Sequence, residues 1–195
     1  TKHCKIWNKF AVDGKITSAY GYRWRSAFGR DQLQMAIDTL AENPSDRQIV
    51  LTAWNPHEDG LGERQHMNVP CPTQVVLNVV NNRLHATVAM RSSDLFVGLP
   101  YDVMVYSMLL VSAASELNLE PGVLGFSLAH AHVYEDHVQY IHHVSWDESW
   151  HNPKMPTWPI SGILASPDAY VSEVKKQSKA ATHPTTWDPR PEVFL

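Results

Sequence analysis

The chain has 195 residues, a formal net charge of −4 and 44% hydrophobic residues, enough for one domain with a sizeable buried core. Two cysteines, Cys4 and Cys71, are too few for a secreted disulfide framework, and no charged-then-apolar leader opens the chain, so a soluble protein of a reducing cytoplasm is expected. No apolar run reaches the roughly 18 residues of a membrane span, and without a Lys/Arg-rich tract a nucleic-acid backbone is excluded as main partner, leaving room for a small anion held by a few arginines.

In chain order, Asp31 to Leu40 carries apolar Leu33, Met35, Ala36, Ile37 and Leu40 at helical spacing and stops near Asn43-Pro44. Gln48 to Trp54 is expected as a strand, followed by the polar loop HEDGLGERQ. Gln74–Val80 and Leu84–Met90 are apolar, β-branched runs separated by Asn81-Asn82-Arg83, a hairpin signal. After Gly98 and Pro100 the period becomes helical through Val103, Tyr106, Leu109, Leu110 and Ala113, with Pro100 in the first turn and Pro121-Gly122 beyond the end. Val123–Tyr134 is expected as a strand, and Val138–Val144 as a helix or a strand. From Asn152 onward the Pro-, Ser- and Lys-rich chain suggests a surface excursion with one short helix near Ala169–Lys179. There is no internal repeat. The expected fold class is α+β, a mixed or antiparallel sheet with long helices packed on it, in a single domain over 1–195.

Several residues offer chemistry. Cys71, in VPCPT, is either an inert core thiol or a nucleophile. The second role needs a neighbour that favours thiolate, and the hairpin sets Arg91 beside it, where a guanidinium would lower the thiol pKa. Arg91-Ser92-Ser93-Asp94 combines a cation with hydroxyls, which suits a phosphate as well as a solvated turn. His130 and His132 share a strand face, compatible with a metal pair, with sugar-hydroxyl binding or with a satisfied sheet edge; a third and fourth metal ligand at suitable spacing are not evident. Asp102 lies in the otherwise apolar LFVGLPYDVMVYS and near a helix start, where a carboxylate meets free N–H groups and the positive end of the dipole.

Together, AYGYRW (19–24), DRQIVLTAWNP (46–56), VPCPT (69–73), RSSDLFVGLPYD (91–102) and HAHVYEDH (130–137) resemble the thymidylate synthase superfamily in order and spacing, with 20 positions from Cys71 to Arg91 and 31 from Cys71 to Asp102. The resemblance covers roughly residues 5–145. It implies that Cys71 is the catalytic nucleophile, that Arg91 and Ser92 bind phosphate, and that Arg47 reaches the phosphate site of a second subunit. His132 and Tyr134 resemble the pair on the sugar hydroxyl, and Tyr20 the tyrosine that organises proton transfer at C5. Asp94 resembles the acid contacting the folate ring, and Trp7 a folate-side tryptophan. A mixed sheet whose outer face forms a homodimer, and 5,10-methylenetetrahydrofolate as co-substrate without a metal, follow from the same resemblance.

Thymidylate synthases carry asparagine where this chain has Asp102. An amide donates to O4 and accepts from N3–H of uracil, whereas a carboxylate accepts from the cytosine amino group and shares a proton with N3. Aspartate is similar to the cytidylate hydroxymethylase branch, so the implied activity is hydroxymethylation of dCMP. The setting would be a bacteriophage that modifies its cytosine, acting in the host cytoplasm, or a nucleoside-antibiotic pathway. CMP hydroxymethylation, methylation of dUMP and an inactive nucleotide-binding relative are the alternatives. The chain departs from the pattern at Gln48, in place of a second arginine, at Phe10, in place of a second tryptophan, and at Pro72, after the cysteine. The family's N-terminal segment, with a catalytic glutamate and a phosphate-loop arginine, is expected to be missing.

Overall fold

The computed structural model describes residues 6–62 and 68–141, with residues 168 and 172. The helix expected near Ala169–Lys179 lies outside this set except for Ser172, and so do residues 142–144.

The hairpin organises the sheet. β2 (Pro72–Val80) and β3 (Arg83–Met90) pair antiparallel from Val80↔Arg83 to Pro72↔Met90. Their turn residues Asn81 and Asn82 have φ of 51° and 59°, the left-handed pair of a two-residue turn that matches strand twist and that asparagine tolerates. β1 (Val50–Thr52) joins the free edge of β2 antiparallel. It is shorter than the expected strand because a side chain takes over its outer edge: Gln32 accepts from Thr52 N at 2.8 Å and donates to Thr52 O at 3.0 Å.

α3 (Gly98–Glu116) is the crossover from β3 to β5 (Glu120–Leu128), which pairs parallel with β3 and completes the order β1-β2-β3-β5. Pro121 is the second residue of the strand rather than only a stop after the helix; β5 is an edge strand, where a missing N–H is tolerated. The run expected as one strand to Tyr134 divides after Leu128. β3 breaks at the same level, and the two resume as a short parallel pair, β4 (Ser93–Asp94) with β6 (Ala131–His132). α4 (Glu135–Ile141) settles the open choice at Val138 as helix.

α2 (Gln32–Glu42) follows the expected helix, with Asp31 accepting from Gln34 N at 2.9 Å as its cap. Leu84, Ala86, Val88 and Met90 alternate inward from β3 and meet Leu51, Val75 and Leu77 from its neighbours. Tyr106, Leu110, Ala113 and Ala114 of α3 and Leu33, Ile37 and Leu40 of α2 close this core. The opposite sheet face carries the row Val50, Val76, Thr87 and Gly125, in register across four strands and partly or fully exposed among the described residues.

Ahead of α2, α1 (Tyr20–Tyr22) runs into a wider π turn over Arg23–Ala27. Arg23, 1% exposed, pairs with Asp59 and Glu58 at 3.0 Å each and donates to Thr17 O at 2.8 Å. Asp59 in turn accepts from Asn55 N at 2.9 Å, so the pair ties α1 to the loop after β1. A buried charge is tolerable only when it is paired and hydrogen-bonded in this way. No described helix is long and apolar enough to cross a membrane.

Candidate active site

Cys71 stands half-buried just before β2, packed against the core. The hairpin brings Arg91 to it: past the last strand pair, Arg91 N donates to Cys71 O at 2.9 Å. The Arg91 side chain then turns back, donating from Nε to Pro70 O at 2.9 Å and from Nη2 to Val69 O at 2.8 Å, with its guanidinium 5.7 Å from the Trp54 ring centre. One cation thereby straps down the segment that presents the thiol.

The electrostatic outcome is a balance rather than the simple lowering expected from an adjacent guanidinium. Burial pushes the Cys71 thiol above its ordinary value; Arg91 works against this, Asp102 adds to it, a hydrogen bond with Tyr20 opposes it, and Asp94 adds to it. Burial wins because half-buried sulfur loses more hydration than one partly exposed guanidinium returns. The resting group is therefore a thiol, with the cation and the Tyr20 phenol positioned to favour thiolate once the proton leaves.

Tyr20, opening α1, is brought to Cys71 by the turn that Arg23 anchors. Burial raises its phenol pKa first, and the Cys71 and Asp102 charges raise it further, so the phenol keeps its proton. Trp24, one turn on, packs against Tyr20 with the rings tilted by 44° and 6.2 Å between ring centres.

Asp102 does not cap α3. It is the fifth residue of Gly98–Glu116, where backbone N–H groups already have helical partners. Asp94 does that work: its two carboxylate oxygens accept from Phe96 N at 3.0 Å, Val97 N at 3.3 Å and Gly98 N at 3.2 Å. The expected capping role thus belongs to a carboxylate eight residues earlier, which β4 holds against the helix start. Released from capping, Asp102 faces the Cys71 and Tyr20 side, and burial pushes its carboxyl up to about 6.

The β4–β6 pair joins two of the sequence motifs. Ser93 N donates to His130 O at 2.9 Å and Leu95 N to His132 O at 2.8 Å, so the RSSD segment lies along HAHVY. Ser92 is half-buried beside Arg91, while Ser93 points into the core with its hydroxyl unpaired. His132 and Tyr134 meet edge to face at 5.1 Å, and His130 stacks on His132 at 5.3 Å, as strand neighbours on one face must. His132 Nδ1 is buried without a protein partner. No group of three or more metal-ligating side chains occurs among the described residues.

Two expected site residues lie apart. Arg47 is exposed at the end of β1 away from Trp54, lining an open polar hollow of about 400 Å³ with Asn43, Ser45, Asp46 and Gln48. Trp7 falls in the 3-10 turn Ile6–Phe10, and its side chain is outside the described set. A residue assigned only to the helix core in the sequence joins the cleft: Tyr106, one turn after Asp102, whose phenol is raised by burial and then by the charges of Tyr20, Asp102 and Cys71. Its i+4 spacing from Asp102 is the signal that could have placed it there.

A thiol, a phenol and a carboxyl gathered where a mixed sheet meets its crossover helix define a cleft suited to nucleophilic addition with proton transfer close by. The family model for thymidylate synthase matches residues 1–160. The chain is 32% identical over 149 residues to a thymidylate synthase of Francisella tularensis subsp. holarctica, covering 70% of this chain and 54% of that protein. It is 34% identical over 134 residues to a thymidylate synthase of Mycoplasma pneumoniae, covering 68% of this chain and 45% of that one. The chain belongs to the thymidylate synthase family, and it spans about half the length of the curated relatives it matches.

Proposed function

We propose that the protein transfers a one-carbon unit from methylenetetrahydrofolate to C5 of a pyrimidine nucleotide, and that the nucleotide is dCMP and the product 5-hydroxymethyl-dCMP, with water consumed and tetrahydrofolate released. The observation that carries the choice of base is Asp102: a carboxyl free of any capping duty, half-buried beside Cys71 and titrating near 6.

Pyrimidine C5 is a poor nucleophile, so Cys71 first adds to C6 through its thiolate, turning C5 into an enamine-like carbon. Arg91 and the Tyr20 hydrogen bond favour that thiolate. As sulfur adds, charge develops on the N3 side of the ring. A carboxyl titrating near 6 is matched to giving N3 a proton while its other oxygen accepts from the C4 amino group. Tyr20, kept protonated by burial, manages the proton that C5 loses. Arg91 Nη1, which has no hydrogen bond among the described residues, and Ser92 serve the phosphate, and His132 and Tyr134 the sugar hydroxyl.

When bound, methylenetetrahydrofolate supplies the carbon. Asp94 fits a contact with its ring: three backbone N–H groups occupy three of a carboxylate's roughly four lone-pair positions, which leaves one for a ring donor. Trp7 is the proposed aromatic partner on that side. The exposed row Val50, Val76, Thr87 and Gly125 is the proposed homodimer face, and Arg47 the residue that reaches the second subunit's phosphate site. A cytoplasmic location accords with a nucleotide and a folate as substrates.

Methylation of dUMP is the second reading, favoured by the two relatives at 32% and 34% identity, both thymidylate synthases. Incubating the protein with methylenetetrahydrofolate and each of dCMP, CMP and dUMP, then weighing the products, separates the readings. A product of dCMP heavier by one hydroxymethyl group is expected; turnover of dUMP alone overturns the assignment of Asp102.

A further inference from the structure

Tyr106 is 1% exposed, and its hydroxyl is buried with no hydrogen-bond partner among the described residues. Buried hydroxyls are normally paired, and a phenylalanine would fill the same space without that cost. The ring is held between Trp24, at 5.8 Å, and Phe126, edge-on at 5.8 Å. Asp102 lies four residues earlier on the same face of α3, and its charge acts on the phenol.

We propose that Tyr106 is a positioning residue for Asp102, the carboxylate swinging, once it ionises, to accept from the Tyr106 hydroxyl. The donor is suited to the task, because burial and then the charges of Tyr20, Asp102 and Cys71 keep the phenol protonated. The charged or titratable neighbours of this cleft are Tyr20 from α1, Cys71 ahead of β2, and, acting on Cys71, Arg91 and Asp94. Of these, Tyr20 and Cys71 are hydrogen-bonded to each other, Asp94 accepts from three backbone N–H groups at the start of α3, and Arg91 Nε and Nη2 are committed to Pro70 and Val69. With cytosine bound, one Asp102 oxygen would face the amino group and the other N3, and the phenol would fix which oxygen does which.

The base-facing role of Asp102 rests on the proposed function, so the test is set on the free protein. Carboxyl carbons of aspartate are labelled with ¹³C, Asp102 is assigned by its loss in Asp102→Asn, and its titration is followed in the whole chain and in Tyr106→Phe. Removal of one oxygen is expected to move the Asp102 midpoint up by about half to one pH unit, a threefold to tenfold loss of preference for the ionised form. An unchanged midpoint overturns the inference, since a phenol that only packs would leave the titration where it was. A raised midpoint in a protein that binds no dCMP leaves the positioning role standing and removes the substrate assignment instead.

Discussion

Replacing Asp102 by asparagine should stabilise the free protein at neutral pH and not at acid pH. The carboxyl titrates at about 6 in the folded protein against a reference value of 3.8, so between those values the native state holds a proton that the unfolded chain has released. Stability is then undiminished below about pH 3.8, falls as pH rises through about 6, and stays reduced above it. A shift of about 2 units is worth roughly 3 kcal/mol, and water around a half-buried carboxyl reduces that to about 1–2 kcal/mol in practice. An amide does not ionise, so whatever packing change Asp102→Asn brings is constant with pH and separable from this slope. Urea unfolding of both proteins at intervals from about pH 4 to about pH 8 gives the difference directly. The asparagine variant should gain about 1–2 kcal/mol relative to its parent across that range, most of it before pH 7. A difference that is flat with pH would show that Asp102 ionises as freely as in the unfolded chain, and the argument for its buried, base-facing position would fail.

Alkylation of Cys71 by iodoacetamide should show a midpoint above that of a free thiol, and Arg91→Met should raise it further by removing the lowering charge; a fall would refute the balance described for the thiol. Cys71→Ser should abolish product formation while nucleotide binding, followed by calorimetry, is retained. Asp94→Ala strips three backbone N–H groups of their acceptor at the start of α3 and should cost about 1–2 kcal/mol in urea unfolding, with Asp94→Asn recovering part of it. Asp59→Ala leaves Arg23, among the described residues, with only the partly exposed Glu58 as an acid partner and should cost about 3–5 kcal/mol, the largest loss of the set. Val76→Lys, on the uncovered sheet face, should lower the apparent mass in sedimentation if two chains associate there.

Local pattern alone carried much of this molecule. The Asn81-Asn82 turn and its flanking apolar runs specify the hairpin, because a two-residue turn with left-handed asparagines leaves only one register. That register in turn sets Arg91 beside Cys71, which is why the central contact of the site was legible before any coordinates. The helices at 32–42 and 98–116 follow from apolar spacing, and their length from the prolines and asparagines that bound them.

What the tertiary structure decided concerns partners far apart in the chain or set by small differences. Which of two carboxylates caps α3 depends on how β4 pairs with β6, a long-range pairing that puts Asp94 under the free N–H groups and leaves Asp102 to the cleft. The thiol pKa is a sum of burial, the opposed charges of Arg91, Asp102 and Asp94, and a hydrogen bond with Tyr20, and no single neighbour fixes its sign. Asp59 reads as one more polar loop residue until Arg23, 36 positions earlier, is found buried against it. Tyr106 looks like any core aromatic by spacing, and only its unpaired hydroxyl beside Asp102 sets it apart. Sequence periodicity reports which face of an element is buried; what a buried polar atom meets there is decided by the packing of segments the sequence keeps apart.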